Sequence, residues 1–211
     1  MEIKNIIFDL GNVLIDLDLE RTDRELERVL GKNFKDKLRD RGSEKVFEAF
    51  ELGQISEAKF LSILSRASEK PVTELEIIAA WNAMLIGFEP IRFMLIETLE
   101  SLGYQMFVLS NTNQIHLRWV YQRLQYKHRI KDFDQRFFIK TYYSHLIHLR
   151  KPSVDIYKFV LSDANLLASE TLFIDDNADN IRGAAAAGLQ TFLHPIGVEI
   201  GTTLPPLLGL R

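Results

Sequence analysis

Apolar positions along the chain follow two different periods. Ile3, Ile6, Ile7 and Phe8 make a short β-branched and aromatic run that ends on Asp9, and Gly11 breaks it two residues later. That pattern predicts a buried strand. From Leu17 to about Met84 the spacing turns helical, with Leu26, Val29 and Leu30, then Val46, Phe47 and Phe50, then Phe60, Leu61 and Leu64, then Leu75, Ile78 and Trp81. Gly31, Gly42, Gly53 and Pro71 divide this stretch into four or five helices, with no convincing strand. After Pro90 the two periods alternate. Helices are expected over 91–102, 114–125, 153–162 and 178–187, and strands over 105–109, 137–143, 172–174 and 191–193. Such alternation implies right-handed crossovers and a parallel sheet. The expected fold is therefore α/β, a Rossmann-like three-layer core built from residues 1–16 and 86–211, with an inserted helical cap over 17–85. The tail, with Pro205 and Pro206, is expected to be loosely attached.

A second apolar run, Thr171 to Ile174, ends on Asp175 and Asp176 as the first ends on Asp9. In a parallel sheet every strand-to-helix loop opens on the same edge, so the loops at Asp9, Ser110, Lys151 and Asp175-Asp176 should converge. Each residue alone has a bland explanation, since a strand-end Asp is often a helix N-cap and Ser-Asn-Thr-Asn is good turn chemistry. Together they place carboxylates, a hydroxyl and an amine around one small volume. Three carboxylates are hard oxygen ligands, which point to Mg²⁺, and Mg²⁺ points to phosphate chemistry.

Composition narrows the picture. The 211 residues are 46% hydrophobic, enough for a real core in one large domain or a domain with an insertion. There is no cysteine, which excludes disulfides, thiol catalysis and thiolate metal sites. A formal charge of −3 gives no strong pull toward nucleic acid or an anionic membrane. The N-terminal apolar run is too short for a signal segment or a membrane span, so a soluble cytoplasmic protein is expected. The basic stretch from Gln114 to Lys131 reads as a solvated helix face, with Trp119, Tyr121 and Tyr126 as packing residues. Arg21, Arg24 and Arg28 recur at helical spacing and could reach a substrate or pair with Glu25 or Glu27.

Four segments in order, FDLGNVL, LSNTN, RKP and FIDDNADNIRGAAAAG, resemble the four motifs of the haloacid dehalogenase superfamily of hydrolases, and the helical block sits where many members carry a cap. The variants look closest to a branch of small bacterial sugar-phosphate phosphatases that includes glucose-1-phosphate phosphatase. The resemblance implies roles for particular residues. Asp9 resembles the nucleophile that forms an aspartyl-phosphate. Asp9, Asp176 and the backbone carbonyl of Gly11 resemble the Mg²⁺ ligands. Asp175 is expected to orient a metal-bound water, with Asn180 where many relatives have another acidic residue. Ser110 and the amide of Asn111 resemble the phosphate-binding groups, and Lys151 the lysine that pairs with both nucleophile and phosphoryl group. The implied partner is a small phosphorylated metabolite.

One position departs from the pattern. Most phosphatases of this superfamily carry a second Asp two residues after the nucleophile as general acid and base, and here that residue is Gly11. Such a group is worth about 10²- to 10⁴-fold in rate. A sugar 1-phosphate would need it least, because an anomeric oxygen leaves more readily than an ordinary alkoxide. The alternatives are a metal-independent haloacid dehalogenase, which needs no such acid, and a catalytically idle binding module. Asp16, Asp18, His145 and His148 lie near enough in sequence to be considered as substitutes, but each reads more simply as a linker or loop residue.

Overall fold

The computed structural model describes residues 2–43 and 45–210. Among them seven strands form: β1 (Asn5–Phe8), β2 (Asp16–Leu17), β3 (Leu85–Gly87), β4 (Gln105–Ser110), β5 (Lys140–Tyr143), β6 (Thr171–Asp175) and β7 (Gln190–Leu193). Five of them make a parallel sheet in the order β5-β4-β1-β6-β7. The first strand is central, aligned with β4 through Asn5↔Gln105 and with β6 through Asn5↔Thr171. Strand alternation then divides the core into two apolar layers. Ile6 and Phe8 join Met106, Val108, Leu172 and Ile174 on one face. Ile7 joins Phe107, Leu109 and Phe173 on the other.

The first face is covered by α6 (Pro90–Ser101), α7 (Gln114–Arg123), α8 (Phe133–Phe137) and α12 (Ile200–Leu207). The second is covered by α10 (Val154–Asp163) and α11 (Ala178–Ala186). The result is a three-layer α/β fold. Because β1 feeds neighbours on both sides, the crevice at its C-terminal end lies at the topological switch point, where ligands bind in open α/β sheets.

Residues 19–81 form five helices: α1 (Leu19–Leu30), α2 (Phe34–Asp40), α3 (Val46–Glu51), α4 (Glu57–Ala67) and α5 (Glu74–Trp81). They share an apolar centre of their own, in which Phe60, Leu64, Ile77 and Leu30 are fully buried and Phe50 stacks on Phe60 at 4.2 Å. Local signals fix the helix starts. Asp18 accepts from the amide of Arg21 to cap α1, and Thr73 and Glu76 form a reciprocal capping box on α5.

Three features differ from the sequence expectation. The chain enters and leaves the helical block through a two-stranded antiparallel ribbon, β2 with β3, too short to leave a periodic signal. The segment expected as strand from Phe137 instead ends a short helix, because Phe133, Phe137 and Phe138 pack as a buried aromatic cluster with Phe93. The tail is not loose. It forms α12, where Ile200 and Leu204, one turn apart, are both fully buried. Glu199 just before it pairs with the buried Arg92, which also holds Asp16 at 2.7 Å. Pro205 and Pro206 sit within that helix, where each gives up an amide donor; apolar burial outweighs the loss.

Candidate active site

The tips of β1, β4 and β6 and the loop after α9 (Ser144–Ile147) meet at one edge of the sheet. Asp9 follows β1 directly, and its amide donates to Ile174 O on β6 at 2.9 Å, so the two carboxylate-bearing tips are laced together by backbone. One oxygen from each of Asp9, Asp175 and Asp176 lies within 4.8 Å of the others. Lys151 reaches this cluster from the far loop. Its Nζ sits 2.9 Å from Asp9 Oδ1 and 2.6 Å from Asp175 Oδ2, with the side chain only 1% exposed.

The three carboxylates are held differently. Asp175 is completely buried and saturated: it accepts from Lys151, from the amide of Asn177 at 2.8 Å and from Asn180 Nδ2 at 3.0 Å. Asn180 is the third residue of α11, the helix that Asn177 caps. Asp9 accepts from its neighbour's amide, Leu10 N, at 2.7 Å, and from Lys151. Asp176 is partly exposed and accepts from Asn12 Nδ2 at 2.8 Å. Burial pushes the Asp9 carboxyl up to about 7, with Lys151 pulling it down and Asp175 and Asp176 adding to the rise. Lys151 moves upward: burial disfavours its charge, but Asp9 and Asp175 more than compensate.

Ser110 closes β4 and is buried at the same edge. Asn111 follows it, and its side chain does something the sequence did not reveal. Its Nδ2 donates to Lys151 O and its Oδ1 accepts from Lys151 N, both at 2.9 Å, so it clamps the backbone of the lysine loop. Gly183 on α11 lets that loop pack closely, since a Cβ there would lie 2.2 Å from Pro152 O.

At Gly11 the backbone does not require glycine, and the space beside it is taken up by the tip of one leucine side chain. An added Cβ would lie 2.7 Å from Leu17 Cδ1 and 3.9 Å from Asp9 Oδ2. Leu17 therefore occupies the region a side chain at position 11 would enter. The Gly11 carbonyl accepts none of the backbone bonds that close this turn, which fall on Leu10 O and Ile15 O. Asn12, at φ 50°, spans the turn: it donates to Asp176 and accepts from Leu17 N at 3.1 Å. Sequence reading gave Asn12 no part. The available signal was an Asn directly after Gly11, since Asn tolerates a left-handed backbone better than most residues.

The other candidates go elsewhere. Asp16 pairs with Arg92, and Asp18 caps α1 and meets Arg24 at 3.3 Å. Arg28 pairs with Glu25 at 2.8 Å. His145 Nδ1 lies 3.1 Å from Thr112 O, and His148 Nδ1 lies 2.8 Å from Leu52 O. These histidines belong to a seam where the helical block rests on the loop carrying Lys151. Ser144 Oγ donates to Glu51 O at 2.6 Å. Arg150 pairs with Glu51 and Glu48. A Cβ on Gly53 would lie 2.2 Å from His145 O.

The donor set suits a small divalent cation. It consists of oxygen alone, two of the carboxylates have unsaturated oxygens, and the charge is concentrated in a buried site. The same edge sets the Asp9 carboxylate beside the buried ammonium of Lys151. Comparison with known proteins gives this arrangement a context. D-ribitol-5-phosphate phosphatase of Bacteroides thetaiotaomicron is 27% identical over 207 residues, covering 98% of this chain and 99% of that protein. A haloacid dehalogenase family enzyme of the same organism, solved in complex with magnesium and inorganic phosphate, is 33% identical with a TM-score of 0.82 over 93% of this chain and 96% of that one. A HAD-like family hydrolase of Porphyromonas gingivalis is 31% identical with a TM-score of 0.85 over the full length of both. The family model for haloacid dehalogenase-like hydrolases matches residues 3–188, from the first strand through the helix that follows Asp175 and Asp176. With sheet order, carboxylate cluster and buried lysine in agreement with that match, the chain belongs to the haloacid dehalogenase-like hydrolase family.

Proposed function

We propose that this chain is a Mg²⁺-dependent phosphatase that hydrolyses a small phosphorylated metabolite, a sugar or sugar-alcohol phosphate, through an aspartyl-phosphate on Asp9. The observation that carries the reading is the gathering of Asp9, Asp175 and Asp176 around one point with Lys151 2.9 Å from Asp9. The relative named as a D-ribitol-5-phosphate phosphatase and the neighbour solved with magnesium and phosphate support it.

Asp9 attacks phosphorus in line, its carboxylate oxygen forms the new P–O bond, and the bond to the sugar oxygen breaks. Water then attacks the phosphorus of the aspartyl-phosphate, releasing inorganic phosphate and restoring Asp9. Lys151 favours the charged form of the nucleophile against the effect of burial and pairs with the phosphoryl oxygens. Ser110 and the amide of Asn111 bind the remaining oxygens. Asp9, Asp176 and the Gly11 carbonyl would hold Mg²⁺, which when bound offsets the repulsion between carboxylate and phosphate. Asp175 is a positioning residue, since Lys151, Asn177 and Asn180 already occupy its oxygens. Residues 17–85 act as the cap over the core of residues 1–16 and 86–211, excluding bulk water and selecting the organic part of the substrate.

Two observations pull the substrate in different directions. Gly11 carries no side chain, so that position offers no acid to protonate a leaving group, which favours a sugar 1-phosphate. The named relative acts on a polyol 5-phosphate, a primary ester. A kinetic comparison of glucose 1-phosphate with ribitol 5-phosphate in Mg²⁺ separates them. Equal kcat/KM would remove the leaving-group argument. A metal-independent dehalogenase would keep its activity on a 2-haloacid after full chelation; the phosphatase reading requires phosphate release that chelation abolishes.

A further inference from the structure

Away from the carboxylate edge, a groove of about 720 Å³ runs between the helical block, the connecting ribbon and α7. Its size falls in the range of small-molecule sites. Its walls are unlike those of an ordinary surface crevice. Leu75 is 77% exposed and Ile86 46% exposed, so an apolar wall faces solvent. Arg123 also lines the groove; its guanidinium lies over the Trp119 ring at 5.7 Å and its Nε is buried without a hydrogen-bond partner among the described residues. Its guanidinium packs against Gly87 on β3, where a Cβ would be in ordinary contact with Nε at 3.8 Å. Arg21 and Arg28 line the same groove, and Glu25 is taken by Arg28 at 2.8 Å. Arg21 and Arg123 are therefore its uncompensated cations among the described residues.

We propose that this groove is a second binding site, for a small organic phosphate with an apolar body. The apolar part lies against Leu75 and Ile86, and the phosphate is held between Arg21 and Arg123. Guanidinium groups match phosphate geometry with two parallel N–H donors, and the buried, unpartnered Nε is the kind of group that such an oxygen satisfies. The protein as a whole is negative at −3, so this local excess of positive charge is not a reflection of general basicity. The groove is separate from the candidate active site. Trp119 and Arg123 lie six to ten residues along α7 from Asn113, roughly 9–15 Å down the helix at 1.5 Å per residue. The inference does not depend on which phosphate ester the catalytic edge hydrolyses.

Trp81 and Trp119 are the two tryptophans of the chain, so in a Trp81→Phe background Trp119 fluorescence reports on this groove. The probe is phenylphosphonate, whose C–P bond the enzyme cannot hydrolyse, titrated without metal. A saturable change in Trp119 emission is expected. Arg21→Gln and Arg123→Gln should each weaken it by about tenfold or more, the usual worth of a charge-assisted hydrogen bond. Asp176→Asn should leave the affinity unchanged. The proposal is overturned if emission shows no saturation, or if neither Arg variant weakens binding. It is also overturned if Asp176→Asn tightens binding, because without metal the loss of that carboxylate favours an anionic probe only at the catalytic edge. Should Arg123→Gln fail to fold, the exposed Arg21→Gln decides the matter alone.

Discussion

At the C-terminal edge of the sheet, Lys151 is 1% exposed and Asp175 fully buried, each bonded on several sides. In the helical block the buried residues are Phe34, Phe50, Phe60 and Leu64, and the ion pairs, such as Arg24 with Glu20, lie in solvent. One region buries charge and holds it in place with converging donors. The other buries apolar surface, with the neutral hydroxyl of Thr22 as its buried polar group, and leaves its charged pairs in solvent. The difference separates two kinds of importance. Removing a partner at the sheet edge strands an opposite charge in low dielectric and disables chemistry. Removing a group from the block opens a cavity and costs stability, while the chemistry has no part in it.

That contrast can be tested from its sharpest consequence downward. Asp9→Asn should lower kcat for phosphate ester hydrolysis by about 10⁴-fold or more, a typical loss for a covalent nucleophile, while circular dichroism and melting show an intact fold. Lys151→Met should cost on the order of 3–5 kcal/mol in urea unfolding, because Asp9 and Asp175 are left buried without their cation. Asp175→Asn in the same background should return part of that loss. Leu64→Ala in the block should cost roughly 3 kcal/mol, yet leave kcat within a few-fold of the parent below the melting transition. A kcat loss like that of Asp9→Asn would dissolve the distinction between the regions.

A smaller effect concerns pH. The Asp9 carboxyl is raised from 3.8 to about 7, chiefly by burial. Between those values the metal-free fold keeps a proton that the unfolded chain has released. This group's contribution to metal-free stability is therefore greatest below pH 4 and is lost as pH rises through 7. Mg²⁺ needs the deprotonated carboxylate, so its affinity should fall about tenfold for each pH unit below 7 and level off above it. Calorimetric titration at several pH values measures this, with proton uptake by the buffer as a second readout. The smallest effect is expected for Arg24→Ala, whose exposed pairs with Glu20 and Asp18 are worth under about 1 kcal/mol.

Some of the site was legible because its signals are local. An apolar run stopped by Asp9, and another stopped by Asp175 and Asp176, mark strand tips wherever they occur. The rest depends on what the loops meet. Asn111 looked like turn chemistry, yet its side chain clamps Lys151 across 40 residues. Asn12 carried no sequence expectation, yet it ties Asp176 to Leu17 N. The tail shows the reverse error. Pro205 and Pro206 suggested a loose end, while Ile200 and Leu204 already carried the one-turn apolar spacing of a docked helix.

The sequence by itself determined the two periodicities, the order of the sheet strands and their main flanking helices, and the residue types available at the strand tips, because these are properties of near neighbours. Only the tertiary structure decided that Lys151 stands between Asp9 and Asp175, that Leu17 fills the space beside Gly11, and that Arg123 lies over Trp119 with its Nε unpartnered. Burial and hydrogen-bond geometry depend on groups brought together by the folded chain, and no local pattern encodes which groups those are.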